Sequence, residues 1–433
     1  MKARLRVFVD LCHVVIQTYV RHRNLPPDSV IKRSLVMKST EESLKICLVA
    51  GYYLPNSGYL ESQLAFVLSE LGHRVTVFTS GLKPFSVPRS LVNKMQKRES
   101  RSESCVTVVE LPPLVKFRAH FFSKGLCRAV NLGRFDLILV IGVGQCFGVP
   151  ALSAEHWNGS LPKKIAVFGD NEAQEVKHGF KRFLKKYIFN LTKAPLYRFV
   201  CRRSDFVYAT TENGRSWISE NFCVNHHKAK LLPLSYDRKQ FYFSESLRVR
   251  VREELEVEDG RKIYIFSGKI TEKKRVSELV DLLGSSMSQG DLFLIVGDDE
   301  QKESKRIREL AERQAEIVGE IRFMGQCTQL ELNMYFNAAD IGIWHRQPAI
   351  SIQQALGTGL FCVLPSNSYV NHLLCEETGA YFRDKDMGHL SRVLNDVATR
   401  VTLDVNARRS REQVNRKFSS RNVAEMFLND VFD

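Results

Sequence analysis

The stretch LKICLVAGYYLPNSGYLESQLAFVLSELGHRVTVFTS, from Leu44 to Ser80, limits the fold more than any other part of the chain. Leu44 to Ala50 is a continuous apolar run, a glycine-containing turn follows, an amphipathic stretch continues to Leu71, and Val75 to Phe78 is apolar again. Strand, helix and strand in that order make a βαβ unit, which requires a parallel sheet covered by helices. More strand candidates follow at Cys105 to Leu111, Asp136 to Ile141, Lys164 to Phe168, Asp205 to Tyr208 and Lys230 to Leu232.

A second series begins after a charged, strand-poor stretch around Ser244 to Arg261. Its strands are Lys262 to Ser267, Asp291 to Val296, Ile321 to Met324, Ile341 to Trp344 and Leu360 to Leu364, with helices expected from Arg275, Lys302, Leu330, Ile350 and Tyr369. The alternation predicts an α/β fold of two Rossmann-like domains facing across a cleft. The expected divisions are an extension over 1–43, a first domain over 44–243 and a second over 244–433, whose last helix is the candidate to return to the first domain. Ligands of such sheets bind beyond the carboxyl ends of the strands, which places the site in the cleft.

Charge narrows the partners. Lysine and arginine number 63 against 48 aspartates and glutamates, a net charge of +15 that suits nucleic acid, an anionic membrane or a phosphorylated substrate. The ten cysteines are scattered, with no CxxC pair and no zinc-ligand spacing, as in a cytosolic protein with reduced thiols. The start, MKARLRVFVDLCHVVIQTYVRHR, is basic and apolar, but Asp10, His13 and Gln17 break the run and leave it too polar for an unaided membrane span. It reads as an interfacial amphipathic helix or as a non-native extension upstream of Met37.

Two loops carry candidate chemistry. Gly51 and Gly58 bracket the first strand-to-helix turn without GxGxxG spacing, so a nicotinamide site is a poor match. Gly58 stands where the helix begins, and it serves either an anion facing the backbone N–H groups or only the turn. In FSGKITEKKRVSELVDLL, the strand ends at Gly268, and Lys269 and Lys274 flank the loop before the next helix. Two ammonium groups beside a helix N-terminus at a sheet's carboxyl edge make a diphosphate clamp, whereas a lysine cluster alone is usually a solvated face.

These segments, with LLPLSYDRKQF, LFLIVGDDE, IRFMGQC and LNMYFNAADIGIWHRQPAISIQQALGTGLFCVLP, resemble the family-four retaining glycosyltransferases of the GT-B fold, over roughly residues 44 to 400. The resemblance implies transfer from a nucleoside-diphosphate sugar with retention of configuration. It sets Lys269 and Lys274 at the family's donor-phosphate arginine and lysine, and Asp237 at its aspartate before the second domain. The family's two glutamates fall on Arg346 and Gln354 here, the second near the nucleotide ribose and the first near the donor sugar. Gln354 can still bond a ribose hydroxyl, while Arg346 reverses the charge at the sugar. Ser351 and the backbone N–H groups after Pro348 remain able to approach phosphate or sugar.

Asp170, after the strand ending at Phe168, either orients an acceptor hydroxyl or caps a turn. Asp298 and Asp299 read as a solvated turn rather than a metal site, and no metal or other cofactor is expected. Lys177 to Arg203 is a basic run interleaved with Phe180, Phe183, Tyr187, Phe189 and other apolar residues, without one acidic residue. It fits an anionic bilayer, or else an exposed helix with no partner; no recognised nucleic-acid module accompanies it. The function expected is glycosyl transfer to a saccharide or lipid-linked acceptor, in the cytoplasm or at the inner face of the membrane. The alternative is a non-catalytic nucleotide- or carbohydrate-binding homologue acting as a partner subunit.

Overall fold

The computed structural model describes residues 43–55, 57–83, 106–117, 120–155, 161–169, 180–272, 274–297, 302–314, 319–346, 349–400 and 406–432. The N-terminal extension, apart from Ser43, lies outside them. The first half contains β1 (Lys45–Ala50), α1 (Leu60–Glu70), β2 (Arg74–Thr79), β3 (Val106–Glu110), β4 (Pro113–Phe117), β5 (His120–Ser123), α2 (Leu126–Gly133), β6 (Leu137–Ile141), β7 (Lys163–Phe168), α3 (Phe180–Arg203), β8 (Phe206–Ala209), α4 (Glu212–Phe222) and β9 (Ala229–Leu231). Seven of these strands form a parallel sheet in the order β3-β2-β1-β6-β7-β8-β9. Both faces of its inner strands are covered, which is why Ile46 to Val49 and Leu137 to Val140 are apolar without alternation and buried throughout.

The second half contains α5 (Glu245–Glu254), β10 (Ile263–Ser267), α6 (Val276–Ser286), β11 (Leu292–Val296), α7 (Lys302–Gln314), β12 (Glu320–Gly325), α8 (Gln329–Ala338), β13 (Ile341–Ile343), α9 (Ser351–Thr358), β14 (Phe361–Ser366), β15 (Gly379–Arg383), α10 (Met387–Arg400), α11 (Asn406–Phe418) and α12 (Ser420–Phe432). Its parallel sheet runs β12-β11-β10-β13-β14-β15. Strand order therefore reverses between β1 and β6 in one sheet and between β10 and β13 in the other. The carboxyl ends of β1 and β10 are the two switch points where a crevice opens.

Three elements depart from the sequence reading. The hairpin β4–β5 and strand β15 were not anticipated, and the helix expected from Tyr369 is a run of turns. Asn367 holds those turns: its side-chain oxygen accepts from Tyr369 N at 3.1 Å and its carbonyl from Val370 N at 3.2 Å. The charged stretch after Ser244 contains α5, packed on α8. There Arg248 Nη1 donates to the carbonyls of Asn337, Ala338 and Ala339 at 2.8–3.0 Å, at the end of α8. Arg248 Nη2 reaches Asp340 at 2.6 Å, and Arg252 Nη1 reaches the other carboxylate oxygen at 3.2 Å. The guanidinium thus satisfies carbonyls that the helix itself leaves unpaired, and Asp340 balances the buried charge.

The chain then crosses back. Tyr236 and Ser419 form a bridge, Tyr236 N bonding Phe418 O at 3.0 Å and Ser420 N bonding Tyr236 O at 2.9 Å. Beyond it α12 lays Val423, Ala424, Phe427 and Val431 into the core of the first sheet. Phe427 meets Tyr208 edge-on at 5.3 Å, and Lys230 pairs with Asp430 at 3.0 Å. The C-terminus of the chain thereby belongs to the core that its N-terminal half builds.

Among the described residues no helix is long and apolar enough to cross a membrane. The described cysteines are free thiols, with Cys47, Cys146, Cys201 and Cys362 buried.

Phe427 is fully buried, so Phe427→Ala should destabilise the first domain by about 3–5 kcal/mol, the usual cost of emptying a core aromatic site. Met426, on the outer face at 43% exposure, provides the control, and Met426→Ala should change stability by less than about 0.5 kcal/mol. Urea denaturation of both variants checks the contrast.

Candidate active site

The carboxyl end of β10 is built for close approach. Trp344 Nε1 and Ser351 Oγ both donate to the Ser267 carbonyl, at 2.8 and 2.9 Å, pinning the strand end to β13 and to the first residue of α9. Gly268 follows with φ of 141°, and a Cβ there would meet Lys274 Nζ at 2.9 Å and Ala349 Cβ at 3.6 Å. At the end of β11, a Cβ on Gly297 would come within 2.4 Å of the Gly268 carbonyl. Glycine at both positions keeps the strand ends bare and brings the β10 loop, Lys274 and the approach to α9 into contact.

Lys274 is the most perturbed cation in this arrangement. It is only 8% exposed, its Nζ lies 5.8 Å from the centre of the Phe266 ring, and among the described residues no carboxylate pairs with it. Burial, reinforced by the positive charge of Lys269, lowers its pKa to about 8. Arg275, next along the chain, holds φ 44° and ψ 47° as the residue preceding α6. A left-handed arginine costs about 1–2 kcal/mol, and it turns the chain so that α6 begins immediately after Lys274.

Arg346 is also brought here, but its charge is shared. Its Nε lies 3.0 Å from Glu278 Oε2, its Nη2 bonds the same oxygen, and Arg275 Nη1 takes Oε1 at 3.0 Å. Burial would raise the Glu278 carboxyl, but the hydrogen bonds from Arg346 and Arg275 outweigh it and hold the pKa below its ordinary value. His345 completes the cluster, with Nε2 at 3.1 Å from the Arg275 carbonyl and 3.4 Å from Glu278. Burial, followed by the neighbouring Arg346, lowers its pKa to about 4, so it is a neutral imidazole at pH 7.

Gln354 sits one turn into α9 and is 1% exposed. Its Nε2 donates to Gln329 Oε1 at 2.9 Å. Gln329, the first residue of α8, in turn faces the other domain: a Cβ on Gly58 would lie 3.1–3.2 Å from the Oε1, Cδ and Nε2 atoms of its amide. Gly58, with φ of 72°, is therefore both a left-handed turn residue and the floor on which a side chain from the second domain rests.

The structure brings Lys269, Lys274, Ser351, Arg346 and Gln354 to one edge of the second sheet and places Gly58 opposite. Asp237 is elsewhere in its contacts. Its carboxylate accepts from Lys239 N at 2.8 Å and Gln240 Nε2 at 3.0 Å, and it lines a cavity of about 570 Å³ between α1 and the interdomain crossing, together with Phe66 and Val108. Asp170, Asp298 and Asp299 lie outside the described residues. Among the described residues, no three His, Cys, Asp or Glu side chains gather where they could hold a metal ion.

The basic run proves mixed in character. In the second half of α3, Tyr197, Val200 and Cys201 are buried, and Phe189 packs 5.9 Å from Tyr197 and 6.0 Å from Trp217. Phe189, one of the aromatics expected to face a bilayer, thus packs against the protein core, while Arg198 and Arg202 are exposed. The side chains of Lys181, Arg182, Lys185 and Lys186 lie outside those described.

Glu278, Gln329 and Glu61 escaped the sequence reading. Glu278 and Gln329 matter through partners 68 and 25 residues away, which no local spacing reports. Glu61, half-buried on the first turn of α1, has its carboxyl pushed up by burial to about 7. A charged residue on the apolar stripe of α1, in register with Ala65 and Leu68, was the available signal.

No family model and no curated protein matches the sequence. Solved structures do match its fold. A glycosyltransferase from Rickettsia africae aligns with a TM-score of 0.62 at 15% identity, over 89% of this chain and 97% of the other. HepE of Anabaena, in complex with UDP-glucose, aligns at 0.64 and 14% identity, over 89% and 98%. WaaG, a glycosyltransferase involved in lipopolysaccharide biosynthesis, aligns at 0.58 and 12% identity, over 89% and 99%. These neighbours are GT-B glycosyltransferases, and the chain has the same α/β architecture of two parallel-sheet domains.

Proposed function

We propose that the protein transfers a glycosyl group from a nucleoside-diphosphate sugar to a hydroxyl of a saccharide or lipid-linked acceptor. The observation that carries this reading is the desolvated Lys274 ammonium at the β10 switch point, backed by Lys269 and lacking a described carboxylate partner. Such a group is complementary to a diphosphate. In the reaction, the bond from the anomeric carbon to the diphosphate oxygen breaks and its electron pair leaves with the diphosphate. The acceptor oxygen forms the new bond and its proton passes to the departing diphosphate. Lys274 and Lys269 stabilise the charge growing on the leaving group, a contribution of roughly several kcal/mol in a site closed to water.

The remaining assignments rest on the family resemblance. The N-terminus of α9, tied by Ser351 to the end of β10, faces phosphate or sugar. Gln354 bonds the ribose, and Arg346 stands at the donor sugar with Glu278 balancing its charge. Gly58 supplies backbone N–H groups from the first domain, and Asp170 orients the acceptor. Retention of configuration is what the family resemblance implies. A second reading, a nucleotide-binding partner without turnover, is favoured by the engagement of Arg346 with Glu278, which leaves less of its charge for a substrate. Release of UDP from UDP-sugars in the presence of acceptor separates the two; UDP is the first probe because HepE is solved with it.

Only the ammonium form of Lys274 attracts a diphosphate, and its pKa in the free protein is about 8. Affinity for UDP should therefore be greatest below pH 8 and fall as pH rises through it. Lys274→Arg stays charged and should flatten that dependence, whereas Lys274→Ala should weaken binding by about 1.5–3 kcal/mol, the worth of a charged hydrogen bond. Calorimetric titration from pH 6.5 to 9.5 reads all three.

Side-chain cations neutralise the leaving group in this mechanism, so turnover should persist in EDTA. Loss of turnover restored by magnesium or manganese would replace the lysine clamp with a metal.

Docking of α3 on an anionic membrane is the proposed reason for its basic first half. Glutamine at Lys181, Arg182, Lys185 and Lys186 together should reduce sedimentation with phosphatidylserine vesicles, each cation contributing about 1 kcal/mol near such a surface at low salt. Equal sedimentation of both proteins would remove the membrane from the account.

A further inference from the structure

We propose that Gln329 is a positioning residue for ribose recognition: it fixes the amide of Gln354 so that the carbonyl oxygen, rather than the NH2 group, faces the nucleotide. This rests on the proposed contact between Gln354 and the ribose.

An amide at position 354 presents a donor on one side and an acceptor on the other, and the two differ only by a half-turn of its last torsion. Left alone, it would offer ribose hydroxyls either end. In the structure one of the two arrangements is taken. Gln354 Nε2 points to Gln329 Oε1 at 2.9 Å, and among the described residues its Oε1 accepts no hydrogen bond. Gln354 is 1% exposed, so with Gln329 in this orientation a rotation of the Gln354 amide alone would set two carbonyl oxygens against each other in a buried place. Held this way, Gln354 offers ribose an acceptor, as one oxygen of a carboxylate would.

The backbone of Gln329 is itself held. It opens α8 directly after a capping box, in which Glu331 N donates to Thr328 Oγ1 at 3.3 Å and Thr328 N to Glu331 Oε2 at 2.6 Å. Its amide lies flat over Gly58, with three amide atoms at 3.1–3.2 Å from where a Cβ would stand. The first domain thus supports the residue that orients a ligand group in the second.

The test compares UDP with 2′,3′-dideoxyuridine diphosphate by calorimetry. Wild type should prefer UDP, and Gln329→Met, which keeps the size but not the acceptor, should reduce that preference by roughly 3- to 10-fold, the weight of one hydrogen bond. Gln329→Ala should do the same. In a Gln354→Glu background either oxygen is an acceptor, so Gln329→Met should then change the preference by less than about twofold. A merely structural role would lower affinity for both ligands alike, in both backgrounds, and that outcome overturns the proposal. Preference for UDP that survives Gln329→Met also overturns it, while leaving the Gln354 contact intact. A wild type that binds both ligands equally, or neither, removes that contact and this proposal with it.

Discussion

Removing an ammonium group from water is unfavourable unless something replaces the lost hydration, and at Lys274 the charge that acts on it, Lys269, is another cation. The environment of the β10 loop therefore costs the folded chain stability that a carboxylate or an apolar side chain would spare it. Several local features depend on keeping Lys274 there. Gly268 and Gly297 leave the strand ends bare, Arg275 accepts a left-handed backbone, and Trp344 with Ser351 locks the Ser267 carbonyl. Groups so arranged suit an anion better than they suit packing, and the proposed diphosphate site rests on that.

The same sheet edge shows how two unusual residues are accommodated. A further positive group, Arg346, stands on the same sheet edge as Lys269 and Lys274. Glu278 supplies the missing carboxylate from the first turn of α6 and accepts from Arg275 as well. Neutral His345 fills the space behind without adding charge. Gln354 likewise comes with a partner, since Gln329 takes the hydrogen-bonding end that would face the ligand wrongly. Each departure from the glutamates of the resembled family is thus matched by a neighbour that resolves the physical conflict it creates.

Much of this architecture was legible in the sequence, for a definite reason. Parallel strands buried on both faces are continuous apolar runs, so β1, β6, β10 and β11 stand out against their helices within a residue or two. The β10 loop was readable because glycine and three lysines occur within seven residues. What could not be read depends on contacts far apart in sequence. The apparent boundary after Ser244 is dense in charge, yet Arg248 and Arg252 are consumed by the end of α8 some 90 residues later. Strand β15 is short and half-exposed, without an uninterrupted apolar run. Glu278 looks like an ordinary surface acid on an amphipathic helix until Arg346 is placed beside it.

The domains meet through a very small number of polar atoms at this site, and that bears on how it works. Gly58 contributes a bare backbone and Gln329 a flat amide, a contact with little area to lose if the domains part. The covalent and packed connection lies elsewhere, where Tyr236 bridges Ser419 and α12 enters the first core. Phe427 and its neighbours secure that crossing with buried apolar surface, far stronger than one amide laid on a glycine. The Gly58 edge is thus a weaker contact between the halves than the crossing. Gln354 and Gln329 both stand in the second domain, so their hydrogen bond is independent of that contact, and only the support that Gly58 gives the Gln329 amide joins the two halves there.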